Sequence, residues 1–155
     1  MKIRWLVRVF AALAISVILR AAQDPLIGTW ELNRAKSKGT PPPNLRETLK
    51  YEPYGDGGVK STSEGVNALG NPIHTEYTGY YDGKEYPVTG NRDADTIVMK
   101  RIDAYTTERI FKKEGKVTRV ARRTVSKDGK ILTMTNRGRN AQGQNVDTVV
   151  VFDRK

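Results

Sequence analysis

Arg109, Arg119, Arg122 and Arg123 are the residues of this chain whose types and spacing best suit chemistry. A guanidinium presents five donors in a planar fork that matches a carboxylate or a phosphate. Arg109 falls in one extended stretch and the other three fall in the next. Successive side chains of a strand point to opposite faces, so Arg119 and Arg123 share a face that Arg122 does not. Two arrangements satisfy that pattern. Either the arginines face water, the usual place for an unpaired charge, or a subset converges inside a closed sheet and holds the anionic end of a ligand. Tyr105, Phe111, Ile97, Met99, Val150 and Phe152 would then supply the apolar walls.

The remaining candidates are weaker. His74 is the sole histidine and is followed by Glu76 and Tyr77. A general base needs a carboxylate and a substrate in register with it; a solvent-facing strand histidine is the simpler reading. The chain has no cysteine, which excludes thiol catalysis and thiolate metal sites. No calcium-loop spacing, phosphate-binding glycine motif or nucleophile elbow occurs. Asp93-Ala94-Asp95 reads as turn chemistry. Tyr77, Tyr80, Tyr81, Tyr86 and Tyr105 suit either a pocket lining or cross-strand pairs. The residues therefore predict no catalytic centre, metal or cofactor, and the protein is not expected to be an enzyme.

The elements that must position these residues read as strands throughout. Period-2 alternation and turn residues mark about ten of them from residue 27 onward. The first is 27–33, followed by a loop over 34–45 that carries Pro41-Pro42-Pro43. Further strands are expected at 46–54, 59–66, 73–81, 85–88, 95–102, 105–113, 117–126, 130–137 and 146–154. Gly55-Asp56-Gly57-Gly58, Asp82-Gly83, Glu114-Gly115 and Asp128-Gly129 punctuate them, as in an antiparallel barrel or sandwich. A sandwich wants one strictly apolar face per strand. The mixed faces Tyr105-Thr107-Arg109-Phe111 and Val117-Arg119-Ala121-Arg123 tilt the reading to a barrel with a half-polar interior.

Composition agrees with a single globular domain: 155 residues, 37% hydrophobic and 28% charged. Lys2, Arg4 and Arg8, then the apolar run from Val9 to Leu19, then Ala21 and Ala22, have the layout of a secretory signal peptide over 1–22. The run is too short to span a bilayer comfortably. Its basic residues, with Arg20, account for four of the 27 in the chain, so the remainder carries 23 basic against 17 acidic, a net of +6. That excess is dispersed and lacks the aromatic interleaving of a nucleic-acid surface. The expected product is exported, periplasmic or secreted, without stable membrane insertion after cleavage.

Ile27-Gly28-Thr29-Trp30-Glu31-Leu32, followed by a ten-strand meander and closed by Val149-Val150-Val151-Phe152-Asp153-Arg154, resembles the calycin superfamily, which includes lipocalins and fatty-acid-binding proteins. The likeness covers roughly 25–155 and its sharp motif is Gly28-x-Trp30. It implies an all-β, single antiparallel up-and-down barrel of about 8–10 strands, with small hydrophobic molecules held inside. It also implies structural roles for Gly28, Trp30 and Arg154, the last stacked on the first-strand tryptophan. Two features depart from the fatty-acid-binding pattern. Val150 and Phe152 stand where an Arg-x-Tyr pair would grip a carboxylate, and the proline-rich loop replaces a helical lid. The combined expectation is a barrel binding a hydrophobic or amphipathic molecule, with or without an anionic head, through Arg109, Arg119, Arg123, Tyr105, Phe111, Met99, Val150 and Phe152. The alternative is a ligand-free barrel with a side-chain-filled core, serving as an interaction or stress-associated module.

Overall fold

The computed structural model describes residues 23–155; the expected signal segment, residues 1–22, lies outside the described residues. Eleven strands follow in order: β1 (Gly28–Leu32), β2 (Lys38–Thr40), β3 (Arg46–Tyr54), β4 (Gly58–Val66), β5 (Pro72–Gly79), β6 (Asp82–Thr89), β7 (Thr96–Arg101), β8 (Thr106–Lys113), β9 (Lys116–Val125), β10 (Ile131–Arg139) and β11 (Asn145–Arg154). From β3 to β11 each strand pairs antiparallel with the next, and β1 pairs with both β3 and β11. That double pairing closes a ten-strand up-and-down barrel, in which β2 pairs with β11 alone and β5 meets β6 at only two positions. The turns are those the sequence marks. Glu114 and Gly115, both with positive φ (49° and 75°), make the two-residue link between β8 and β9, the geometry that matches strand twist.

The segment expected as one open loop, 34–45, is more ordered than that. A single 3-10 turn, Arg34–Lys36, leads into β2, which pairs with Asp147–Val149 of β11. Since Phe152–Arg154 of the same strand pairs with β1, β1 and β2 form one interrupted strand along β11. Asn33 and Ser37 make the interruption possible. The Asn33 amide donates to Asp153 Oδ2 at 2.6 Å and its oxygen accepts from Lys36 N at 3.1 Å. The Ser37 hydroxyl donates to Asn33 O and accepts from Val151 N, returning the chain to register. The three prolines come only after β2.

Alternation along each strand sends Trp30, Leu49, Val59, Ile97, Leu132 and Phe152, among others, into one continuous core. Trp30 is fully buried, and its indole N–H donates to Leu26 O at 2.9 Å. The Leu26 segment thus seals the barrel end where the chain enters β1. The opposite end is covered by the β6–β7 loop. Ala94 is buried there, Asp93 O accepts from the Thr118 hydroxyl at 2.8 Å, and Asp93 Oδ1 accepts from Ala141 N. Asp95 Oδ2 accepts from Glu114 N. These residues do more than turn the chain; they tie three loops together across that end.

Candidate functional site

Strand alternation decides where the arginines go. On β8, Thr107, Arg109 and Phe111 are buried inside, whereas Glu108 and Ile110 lie on the opposite face. On β9, Arg119, Ala121, Arg123 and Val125 share the inner face while Val120 and Arg122 are exposed. Arg109 retains 7% of its surface and Arg123 only 1%. Arg119 is half-buried overall, but its Nε is shut off from solvent. The small Ala121, cross-strand partner of Arg109, leaves room for guanidinium groups in a crowded layer.

The contacts of these arginines are neutral. Arg123 donates from Nε to the Thr107 hydroxyl at 3.0 Å and from Nη1 to the Tyr77 hydroxyl at 3.1 Å. Arg109 reaches the same Tyr77 oxygen from Nη1 at a longer 3.4 Å, and its Nη2 lies 3.0 Å from the weak acceptor Met134 Sδ. Arg123 lies over the Tyr51 ring at 5.1 Å, and Arg119 over the Phe111 ring at 4.1 Å. Among the described residues, none of the three has a carboxylate within ion-pair distance. Arg109 Nε, Arg119 Nε, Arg123 Nη2 and the Tyr51 and Tyr81 hydroxyls are buried without any hydrogen-bond partner.

Electrostatics follows from this crowding. Burial and the neighbouring Arg109 charge push the Arg119 guanidinium down to about 10, against weaker support from Asp93 and Glu47. Burial also opposes the charge of Arg123, but the oxygens of Tyr77, Tyr51 and Tyr81 hold it above its ordinary value. For the Tyr77 phenol, burial favours the neutral form, yet Arg123 and Arg109 outweigh it and bring the phenol to about 8. Tyr81, mainly through burial, rises to about 12. The interior is therefore a positive, incompletely satisfied polar layer set between apolar ones.

The structure brings most of the expected residues together. Met99, Phe111 and Phe152 are buried in the core with Val150 packed against it, beside Arg109, Arg119 and Arg123. Tyr105 is the correction. It sits on the turn before β8 with 40% of its surface exposed, its N–H bound to Asp103 Oδ1 at 2.8 Å, and cannot serve as a wall. The inward series starts at Thr107 because β8 begins one residue later than expected. His74 is exposed on β5, 3.2 Å from Glu64 and 3.8 Å from Glu76. Sequence reasoning missed the distinct place of Tyr77. The available signal was parity: Tyr77 shares its face with Gly79, both buried. Tyr80 points the other way and packs against Tyr54 and Tyr86.

At the sealed end, Arg154 lies over Trp30 with its guanidinium carbon 4.1 Å from the indole centroid. No protein-family model and no curated protein sequence matches the chain. By structure it is similar to the zebrafish ileal bile acid-binding protein complexed with cholic acid, with a TM-score of 0.54 and 14% identity over 84% of this chain and 99% of that one. The fold is a calycin barrel. Within this barrel Arg109, Arg119 and Arg123 are spread along the inner face of β8 and β9, with Arg119 next to the Thr118 that bonds the Ala94 loop. Two open concavities on the described surface lie apart from these arginines. One, about 380 Å3, is bordered by Val117, Arg137, Arg139 and Val146; the other, about 350 Å3, by Arg34, Ala35, Ser37 and Pro43.

Proposed function

We propose that this protein is an exported calycin that binds a small amphipathic molecule inside the barrel, its anionic head on Arg109 and Arg123 and its apolar part against Phe111, Met99, Val150 and Phe152. The observation that carries the reading is the buried guanidinium layer without a carboxylate partner. Buried charges in folded proteins are ordinarily paired, because an isolated one is costly. A ligand carboxylate or sulfonate would supply the missing anion and occupy donors that are otherwise orphaned. The solved neighbour is complexed with an acid, which is compatible with this reading. No catalytic step is assigned, and His74 lies outside the barrel wall.

Titration of the mature protein with a fluorescent fatty acid and with cholate tests it. Saturable binding that Arg109→Met weakens at least tenfold is expected; the absence of saturable binding by any such probe would end the proposal. A second reading has its own support, since the described core is filled by side chains such as Trp30, Tyr51, Ile97, Met99 and Phe152, all but fully buried. A barrel filled by its own side chains would then act through its surface, and His74→Ala would leave either behaviour unchanged.

A further inference from the structure

Tyr77 stands on β5, three strands around the ring from β8 and four from β9. Its hydroxyl nevertheless receives donors from both, Arg109 Nη1 at 3.4 Å and Arg123 Nη1 at 3.1 Å. It crosses the lumen to do so. Two guanidinium groups converging on one oxygen from different strands is the geometry by which proteins hold an oxyanion. Here the oxygen belongs to the protein.

We propose that the Tyr77 hydroxyl occupies, in the ligand-free barrel, the position of a ligand's anionic oxygen, making Tyr77 an internal competitor that must yield before a carboxylate or sulfonate binds Arg109 and Arg123. The inference rests on the reading of the lumen as an anion-binding site. Three observations support it. The Tyr77 contact leaves Arg109 Nε and Arg123 Nη2 without partners, so the arginines hold donors that a two-oxygen head would use and a single phenol oxygen does not. Ser61, the cross-strand partner of Tyr77 on β4, is a small neighbour of the phenol, whereas the space over Gly79 is taken by Tyr86 and Met99. The groups facing Tyr77 from the surrounding elements are Arg109 of β8, Arg123 of β9, Ser61 of β4 and Tyr81 beyond the end of β5. Asp24 and Arg101 act on Tyr81 rather than on Tyr77 directly. Against burial, which favours the neutral phenol, the two arginines bring it to about 8.

The consequence is a linkage between proton and ligand. An ionised phenol is itself the anion the site takes, so a second anion is excluded when Tyr77 has lost its proton. Apparent affinity for an anionic ligand should then fall by about tenfold for each pH unit above the phenol's pKa, and reciprocally a bound anion should raise that pKa.

The experiment compares anilinonaphthalene sulfonate with the uncharged phenylnaphthylamine on wild type and Tyr77→Phe across mildly alkaline pH. The expected result is that Tyr77→Phe binds the sulfonate several-fold tighter near neutrality and loses the alkaline decline, while the uncharged probe is indifferent to both. Equal or weaker sulfonate binding by Tyr77→Phe, with wild-type binding still lost in Arg109→Met, would overturn the competitor role and leave the anion-binding reading standing. Failure of wild type and Tyr77→Phe alike to bind the sulfonate would overturn both. A readout without substitution guards against a folding defect: the near-ultraviolet tyrosinate step of wild type should move to higher pH when cholate saturates the barrel. An unmoved step under saturating cholate overturns the proposal.

Discussion

Arg154 at the end of the last strand is the clamp that holds Trp30 of the first. Its guanidinium stacks on the indole at 4.1 Å while Nη1 and Nη2 donate to Ile27 O and Pro25 O at 2.8 and 2.6 Å, and Nε reaches Gly129 O. One side chain thus joins the entering segment, the β9–β10 turn and the barrel floor. Arg154→Met keeps apolar cover over Trp30 but removes the stacked charge and three charged hydrogen bonds. A loss of about 3 kcal/mol is expected, read as a lower urea midpoint with unchanged slope. Arg154→Lys should recover only part, since an ammonium cannot hold three diverging carbonyls from one plane.

Gly28 is coupled to that clamp. Its φ of 139° disfavours any side chain, and a Cβ there would run into the Arg154 guanidinium. Gly28→Ala should cost about 2 kcal/mol. Because part of that cost is the clash, the penalty should shrink in an Arg154→Met background. A double-mutant cycle checks this; strict additivity would show that backbone strain alone is responsible.

The barrel was legible in the sequence because turns and alternation agree along the whole chain. β3 falls where the turn residues put it, and the other strands begin or end within two or three residues of expectation. Arg119 and Arg123 could be placed on one face, and opposite Arg122, by counting alone. What counting could not give was which face is inner, because Ile110 and Val120 offer a plausible apolar alternative to Arg109 and Arg119. The closed sheet decides it: Val120 is left 38% exposed. Contacts across the lumen, such as Tyr77 with Arg123, join residues 46 apart in sequence. No local pattern encodes them. β2 was hidden for a different reason, since Lys38-Gly39-Thr40 is short and exposed, and only the long β11 supplies its partner.

The three inner arginines should differ in what they contribute to stability. Arg119 is depressed to about 10 by burial and by repulsion from Arg109, and its Nε has no partner. Arg119→Met keeps contact with Phe111 and removes a poorly compensated charge, so stability should rise by about 1 kcal/mol. Arg123→Met, by contrast, leaves the buried Thr107 hydroxyl without its donor and the Tyr77 hydroxyl with only the longer bond from Arg109, and should lose about 2 kcal/mol. Thermal unfolding of the two variants decides the point; a fall for both would mean that Arg119 has a counter-charge, with Glu47 and Asp93 the residues to examine.

The proposed export carries its own prediction. Mass spectrometry of material recovered outside the cytoplasm should show a mature N-terminus between Ala21 and Asp24. If the segment is removed, Asp24 should stay with the barrel, because its carboxylate accepts from Leu26 N at 2.9 Å and pairs with Arg101. Cleavage beyond it would unseat the segment that bonds the Trp30 indole. Intact Met1 in a membrane pellet would instead indicate an uncleaved anchor.

Tyr77 should also leave a mark on stability as pH rises. Its phenol, brought to about 8 by Arg123 and Arg109 against the effect of burial, lies below the ordinary value of 10.0 in the unfolded chain. The folded protein therefore releases this proton before the unfolded one does. Where the unfolded state binds more protons, stability increases with pH. The Tyr77 contribution is fully present above about 10 and is lost as pH falls through about 8. Wild type should accordingly gain stability relative to Tyr77→Phe across that window, and the difference between their urea midpoints should widen with pH. The same window should contain a tyrosinate absorbance step in folded wild type that Tyr77→Phe lacks, while Tyr81, raised to about 12, stays silent. A midpoint difference that is flat or narrows between about 8 and 10 would show that the two guanidinium groups do not stabilise a Tyr77 phenolate.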